Sequence, residues 1–598
     1  MAISKTNFIN YTRCKRFVAL ENIRKDKLSS KLTKEEYLKE KKEEKIKEIV
    51  DNLFDSNDND ITNIENQQLN EMLKYYTEVE LITASLAKNL FKGNIYYGEK
   101  IDDQMYFECD INNIKYACFS DVVIENDDEI NVIEVKSTTS KKYLECKYNN
   151  QPVLTKKDNF YYFNNDNSQE YKKVLNKFMD RYSLGKYFYD IAFQRYVIEN
   201  NKKYNKKVNY YLAVLNHEYV YDGYKENGKR VYRKDKNSND IIIFIDVNDI
   251  TKKMYSIVDN DRINLEKYIE ENNESKCNLG KYCMVKTNSE CKYKEFCFKD
   301  VPKENASYNY MHFINFKDEN GKIYDKYELI NNGYLKLSDI PISWINNDNK
   351  LIQRDCFDNN KIYYNKEKIQ AGLNTLKYPI YHLDFETFPC PLPRFYGEKC
   401  YTQSVFEFSV HIEREPGICD YEEDSFVYMS DTFEDDRENM VKKLVDVIDL
   451  SKGGCFLAQN VSFEKARIKE LAEIFPQYKD KLMNIYNSAT DLLYIINNNK
   501  ELYLKLGFSE KEASTVNYYN SLQSGSYSIK KTLPLFSNLS YKNLDVKNGT
   551  EASTMYSKFE YMTKEEIEDA RCKLIKYCKQ DTWAMVEILN GLRKLVNK

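Results

Sequence analysis

The stretch YPIYHLDFETF, Tyr378 to Phe388, is an apolar strand with Asp384 and Glu386 at its centre. Side chains alternate along a strand, so the two acids share one face while Phe385 points to the other. Like charges set side by side in an apolar segment are costly unless something positive compensates them, and a divalent cation is the usual answer. The pair therefore predicts a metal site, and a sheet that presents it.

An isolated Asp-x-Glu is commonly a solvated strand edge, so context decides. Downstream, CFLAQNVSFEKARIKEL runs from an apolar strand into a helix, with Asn460, Phe463 and Glu464 at the junction. Near the C-terminus, EEIEDARCKLIKYCKQDTWAMVEIL has helical periodicity and sets Tyr577 and Asp581 one turn apart on one face. In this order the three segments resemble the motifs of the RNase H-like DEDD 3′-5′ exonucleases, in the subclass with tyrosine. That resemblance implies two Mg2+ or Mn2+ ions held by Asp384, Glu386, Glu464 and Asp581, with Tyr577 orienting the attacking water. The chain departs from the pattern once: the second motif usually ends in Asp, and Glu464 reaches one methylene further.

Composition narrows the setting more than the function. A chain of 598 residues has room for about two to four domains. No apolar run approaches the ~20 residues that span a bilayer, and MAISKTNFINYTRC lacks a signal-peptide core, which predicts a cytoplasmic protein. Fifteen cysteines, an odd number, then favour thiols or metal ligands over disulfides. The four histidines, His217, His312, His382 and His411, are not paired at ligand spacing, which argues against zinc sites built on histidine pairs. Abundant Lys, Asn, Ile and Tyr beside little Gly, Pro and Trp looks like the product of an AT-rich genome, so the lysine content carries no functional weight. A net charge of −4 neither supports nor excludes nucleic acid, because the field that matters is local.

A second acidic constellation lies in YACFSDVVIENDDEINVIEVKSTTS. Two strands, Tyr116 to Ile124 and Ile130 to Val135, flank the turn-rich ENDD and predict a hairpin. Asp121 sits on the first strand, and Glu134 and Lys136 share one face of the second. A solvated hairpin with a Glu-Lys pair is the alternative. The set resembles the PD-(D/E)XK nuclease core, in which Asp121 and Glu134 would bind Mg2+ or Mn2+ while Lys136 positions water or stabilises charge on the phosphate. Cysteine placement extends the resemblance. Cys14 stands alone in FINYTRCKRFVAL, and GKYCMVKTNSECKYKEFC supplies Cys283, Cys291 and Cys297, with seven and five residues between them. One early cysteine plus a late triplet around a nuclease core is the pattern of the RecB-like nucleases with an iron–sulfur cluster, the CRISPR-associated and AddB types among them. It implies a [4Fe–4S] cluster on Cys14, Cys283, Cys291 and Cys297. Cys277 rivals Cys283, and a structural zinc site on four cysteines is the competing chemistry, since spacing does not separate the two. Of the Gln-x-x-x-Tyr expected on the next helix, GKYFYDIAFQRYVIEN keeps only Gln194: position 198 is Ile, and the nearest tyrosine is Tyr196. A further metal-binding residue is expected on the helix before the hairpin, where Glu80 of YTEVELITASLAKNLF is the candidate and Glu78 its competitor.

Over almost all 598 residues the chain is similar to bacterial proteins of the domain of unknown function 2779 family, most specifically in YPIYHLDFETFPCPLPRF, FEFSVHIE and GSYSIKKTLP. That label supplies no activity. The expectation is an α/β chain of two domains: residues 1–300 a RecB-like PD-(D/E)XK nuclease with an iron–sulfur cluster, and residues 376–598 an RNase H-like DEDD exonuclease. Residues 301–375 would be a mostly helical connector. Lys31 to Ile49 predicts a solvated charged helix, with nucleic-acid contact the second option. Residues 141–175 predict a loop insertion, and Ala213 to Val220 and Ile241 to Val247 predict strands that extend the first sheet. The expected function is metal-dependent hydrolysis of phosphodiesters in DNA, with RNA the second substrate class, in repair, processing or defence. Two other classes stay open. Incomplete Gln-x-x-x-Tyr and Glu464 would suit a nucleic-acid-binding or scaffolding protein, and an exposed cluster would suit a redox-sensing regulator.

Overall fold

A computed structural model describes residues 2–21, 23, 34–54, 72–98, 104–201, 203–283 and 290–597. They form two compact α/β units. Unit 1 holds the described residues up to 297 together with 390–402, and unit 2 holds 298–389 and 403–597. Residues 301–375, expected to be a connector, therefore cluster with unit 2. Among the described residues no helix is long and apolar enough to cross a membrane.

The elements that position the sites of unit 1 are α1 (Lys5–Tyr11), α2 (Lys34–Phe54), α3 (Leu73–Leu90), β1 (Asn94–Tyr97), β2 (Val122–Glu125), β3 (Glu129–Thr139), β4 (Leu154–Lys157), β5 (Phe160–Phe163), α4 (Lys186–Glu199), β6 (Lys207–Leu215), β7 (Ile242–Asp246) and α5 (Asn248–Glu271). The seven strands make one sheet in the order β1-β2-β3-β6-β7-β5-β4. β2 and β3 pair antiparallel across the expected turn, but the first expected strand, Tyr116 to Ile124, is broken: Ile114–Phe119 pairs in a separate three-stranded sheet and Asp121 lies in the break before β2. β3 and β6 run parallel. Parallel neighbours need a crossover, and α4 lies in it. Alternation along β3 explains the two-sided cover: Ile133 and Val135 pack with Val79, Ala84 and Ala87 of α3, while Ile130 and Val132 pack with Phe188, Phe193 and Val197 of α4. Glu134 and Lys136 share the α4 side. β4 and β5 come from the stretch expected to be a loop insertion; they pair with each other antiparallel, and Phe160 and Tyr161 of β5 pair parallel with Phe244 and Ile245 of β7, which extends the sheet. Residues 390–402 complete the α3 side, contributing Leu392 and Cys400 to its core.

Unit 2 is built on β8 (Ile380–Pro389), β9 (Gln403–Glu413), β10 (Ser425–Met429), α6 (Arg437–Val447), β11 (Cys455–Ala458), α7 (Ser462–Ile474), β12 (Thr490–Asp491) and α8 (Lys564–Asn597). The sheet order is β10-β9-β8-β11-β12, with β9 antiparallel to β8 and β10, and β11 and β12 parallel to β8. One face is apolar: Tyr381, Leu383 and Phe385 of β8 join Phe408 and Val410 of β9 under Val441 and Leu444 of α6 and Ile468 and Leu471 of α7. The opposite face is apolar at its two ends, where Ile588 and Leu592 of α8 pack on Ile380 and where Phe388 meets Phe433 and Tyr556. Between them, His382, Asp384 and Glu386 give that face ionisable side chains.

Candidate functional site

The polar face of unit 2 follows from strand register. Asp384 stands opposite Ser409 and Glu386 opposite Glu407, and the pairing slips by one residue just beyond, between Glu386 and Thr387. Bulges of this kind re-aim side chains next to functional sites. α8 crosses the face and anchors on it: Thr582 Oγ1 lies 2.8 Å from both Ser409 Oγ and His411 Nδ1, and Arg593 Nη1 lies 2.5 Å from Glu413, which is 3.0 Å from His382 Nε2. Burial holds the His382 imidazole below its ordinary value, with Glu413 opposing.

On the N-terminal side of Thr582, α8 brings Tyr577, Cys578 and Asp581 to the acids. Cys578 Sγ donates to Asp384 Oδ2 at 3.8 Å, and ligand atoms of Asp384, Glu386 and Cys578 all lie within 4.8 Å of one another. Asp581 Oδ1 accepts from the Tyr541 hydroxyl at 2.5 Å. Burial, then Asp581 and Glu386, push the Tyr577 phenol well up, so it stays a neutral hydroxyl. Glu464 is buried in the first turn of α7, at the carboxyl end of β11, the parallel neighbour of β8. The junction that carries it is fixed by Asn460, which turns the chain at φ 65°, and by Asp491, whose carboxylate accepts from the backbone N–H of Asn460, Val461 and Leu493 at 3.0, 3.1 and 2.9 Å.

Sequence reasoning missed two members of this set, Glu407 and Cys578. Glu407 is fully buried, and among the described residues neither of its carboxylate oxygens has a hydrogen-bond partner. Burial raises its carboxyl well above the usual range; Asp581 adds to the shift and Arg571 opposes it. The only signal in the sequence is the alternation in FEFSVHIE, which sets Glu407 on one face with Ser409 and His411 without saying what lies opposite. A buried carboxylate with orphaned oxygens among other acids fits a cation, and oxygen donors of this kind suit Mg2+ or Mn2+.

In unit 1 the structure gathers Asp121, Glu134, Lys136, Gln194 and Glu80. Asp121, at the head of β2, accepts from the Val135 backbone N–H at 3.0 Å. Lys136 Nζ sits 2.9 Å from Glu134 Oε1, while Gln194 of α4 donates to Glu134 Oε2 and accepts from Ser120 Oγ at 3.2 Å. Burial first, then Glu134, push the Asp121 carboxyl up to about 6, with Glu80 adding to the shift. Glu80 and Asp121 share one cation, Lys41. Glu78, the competitor of Glu80, acts instead on Arg230 and Tyr232. Tyr196 also points elsewhere, donating to Asp259 at 2.6 Å.

The charged helix α2 departs from its sequence reading as a solvated helix, of which residues 31–33 lie outside the described residues. Its inner face enters the acid cluster. Lys41 Nζ lies 3.2 Å from Glu80 and 3.7 Å from Asp121, and Lys45 Nζ lies 3.0 Å from Glu80. Glu44 Oε1 lies 2.6 Å from Lys136 Nζ and 3.2 Å from Lys5 Nζ of α1, which itself lies 2.6 Å from Glu134. Although burial opposes its charge, Glu134 and Glu44 hold the Lys136 ammonium well above its ordinary value. Asp190 of α4 completes the set, its ligand atom within 4.8 Å of those of Glu44 and Glu134.

The candidate cluster cysteines lie in the same unit. Cys14 caps the helix Lys15–Leu20, Cys283 closes the turn Lys281–Cys283, and Cys297 closes the helix Lys294–Cys297. The Cys291 N–H donates to the Cys283 carbonyl at 2.9 Å. Burial pushes the Cys14 thiol up to about 12, with Cys277, Cys283 and Cys291 adding to the shift, and the Cys283 thiol up to about 11, with Cys291 and Cys297 adding. Cys277 acts on Cys14 as Cys283 and Cys291 do, so the choice between Cys277 and Cys283 stays open. Arg13 acts on Cys291 and Cys283, and Arg16 Nη1 donates to Cys297 Sγ at 3.5 Å, so two guanidiniums stand ready to offset thiolate charge. Among the described residues no three of these sulfurs lie mutually within 4.8 Å. A tetrahedral zinc with Zn–S near 2.3 Å needs sulfurs about 3.8 Å apart, so the thiols stand more openly than a zinc site requires.

The sequence family described as domain of unknown function DUF2779 matches residues 381–528, which hold Asp384, Glu386, Glu407 and Glu464. Two curated proteins are similar to parts of the chain. Uncharacterized protein UU173 of Ureaplasma parvum is 26% identical over 259 residues, 40% of this chain and 34% of that protein. Uncharacterized protein MG366 of Mycoplasma genitalium is 29% identical over 179 residues, 27% of this chain and 24% of that protein. The matched regions thus span about a third and about a quarter of those relatives. No solved structure matches the chain.

Proposed function

We propose that the chain is a metal-dependent nuclease with one hydrolytic site in each unit, acting in the cytoplasm on DNA, with RNA the second substrate class, in repair, end processing or defence. The observation that carries this reading is convergence in unit 2. Asp384 and Glu386 on a central strand, and Tyr577 and Asp581 on a helix nearly two hundred residues later, meet on one buried face. An RNase H-like DEDD exonuclease requires that meeting, and Glu464, in the first turn after β11, would supply its remaining acid. Unit 1 offers parallel support: helix, hairpin, helix and parallel strand bring Glu80, Asp121, Glu134, Lys136 and Gln194 together, as a PD-(D/E)XK site requires.

In unit 2, Asp384, Glu386, Glu464 and Asp581 would hold the divalent ions, and in unit 1 Asp121, Glu134 and Glu80 would. Bound divalent ions polarise the phosphate and make water a stronger nucleophile at neutral pH. Tyr577 keeps its proton, so its hydroxyl orients water by hydrogen bonding and does not act as a base. Lys136, charged and fixed on Glu134, offers an ammonium to the charge that develops on the phosphate. Cys14, Cys283, Cys291 and Cys297 would hold a [4Fe–4S] cluster, clipping the two ends of unit 1 together.

A second reading has one observation in its favour. Lys41 and Lys45 sit against Asp121 and Glu80 where a cation would bind, which suits a unit 1 that holds nucleic acid without cutting it. Digestion of end-labelled DNA and RNA with Mn2+ separates the two. Asp384→Ala and Lys136→Ala should each remove one class of product, and the double variant should be inert. Identical digests from wild type and the double variant would end the nuclease reading.

A further inference from the structure

Glu407 stands directly across the strand pair from Glu386, next to the slip in register. It is fully buried, and both carboxylate oxygens lack a hydrogen-bond partner among the described residues. Its surroundings make that arrangement unfavourable: the charged groups acting on it are another acid, Asp581, and Arg571. Arg571 is committed elsewhere, its Nη1 to Glu568 at 2.6 Å and its Nη2 to the Met429 carbonyl at 3.2 Å. Cys578 ties Glu407 to the metal-ligating pair, because the thiol that donates to Asp384 is acted on by Glu407, Asp384 and Glu386 together. A desolvated carboxylate in such a place needs a proton or a cation.

We propose that Glu407 is a further ligand of the divalent cation held by Asp384 and Glu386, an oxygen donor supplied by β9 that none of the three sequence motifs contains. The proposal rests on the metal-site reading of unit 2. It supplies a third carboxylate from the sheet itself, so the site depends less on the longer Glu464. An all-carboxylate set on the strands also favours a hard ion, Mg2+ or Mn2+, over a thiophilic one, with the Cys578 thiol acting as a hydrogen-bond donor to Asp384.

The test is Mn2+ titration of the full-length protein, followed by electron paramagnetic resonance, in a background where Asp121→Asn and Glu134→Gln silence unit 1. Glu407→Gln, nearly isosteric, should weaken Mn2+ binding about tenfold or more. It should also raise the melting temperature of the metal-free protein, since it removes an uncompensated buried acid. Unchanged Mn2+ affinity in Glu407→Gln, with affinity lost in Asp384→Asn, would overturn the assignment of Glu407 and leave the metal site standing. Unchanged affinity in both variants would overturn the metal reading of unit 2, and Glu407 with it. If Glu407→Gln does not fold, Glu407→Asp keeps the charge but withdraws the oxygens; weaker binding there supports ligation, and binding equal to the parent overturns it.

Discussion

The two acid clusters solve the same electrostatic problem in different ways. In unit 1, Glu134 is met by Lys5 and Lys136, Glu80 by Lys41 and Lys45, and Glu44 by Lys136 and Lys5. In unit 2, Asp581 takes a phenol, Asp384 takes a thiol, and Glu407 finds no hydrogen-bond partner among the described residues. Buried ion pairs keep a cluster folded without metal, but any incoming cation must then displace an ammonium. A cluster with an uncompensated carboxylate is strained without metal and gains more when a cation arrives. The lesson is that similar acids on similar strands can differ in metal demand because of what the neighbouring helix carries.

Breaking unit 1 at its cysteines gives the largest expected effect. Cys14 lies roughly 270 residues from its partners, so a cluster there closes a very long loop. Cys14→Ser or Cys297→Ser should make residues 1–297 protease-sensitive and bleach anaerobically purified brown protein, while activity dependent on Asp384 survives. Colourless wild-type protein with one equivalent of zinc would contradict the iron–sulfur assignment.

Removing the internal cations sharpens the comparison further. In an Asp384→Asn background, Lys41→Ala with Lys45→Ala should raise Mn2+ affinity at unit 1 about tenfold, because Asp121 and Glu80 no longer hold ammonium groups. The same double variant should melt several degrees lower in chelator and recover with Mn2+. Lower Mn2+ affinity would instead make the two lysines part of the binding machinery.

A smaller effect is set by pH. The folded Asp121 carboxyl titrates at about 6, above its ordinary value. The stability it contributes is therefore full below the ordinary carboxylate range, near about pH 4, and is lost as pH rises through about 6. Metal uptake needs the carboxylate and runs the opposite way, so Mn2+ affinity at unit 1 should fall as pH drops below about 6. Calorimetric titration of the Asp384→Asn protein from about pH 5 to about pH 7 checks this, and a flat profile would contradict it.

What could be read from the sequence was local. Asp384 with Glu386, Glu134 with Lys136, and Tyr577 with Asp581 are separated by the repeat of a strand or the turn of a helix, so periodicity alone puts each pair on one face. Glu407 was invisible because its role comes from register across β8 and β9, which depends on a one-residue slip that no local pattern announces. α2 was misjudged for a related reason. A run of Lys and Glu looks solvated until the partners of its inner face are known, and those partners, Glu80, Asp121 and Lys136, lie up to about a hundred residues away. The same holds for residues 390–402, whose Leu392 and Cys400 fill the core of unit 1 although they sit between two strands of unit 2.

The most direct measurement is the digestion of 5′-labelled single-stranded DNA by protein carrying Lys136→Ala, which leaves unit 2 as the only intact site. The expected result is a Mn2+-dependent ladder of products shortened stepwise from the 3′ end, abolished by Asp384→Ala and slowed by Tyr577→Phe. Intact substrate, or a ladder that Asp384→Ala leaves unchanged, would contradict a 3′-5′ exonuclease in unit 2.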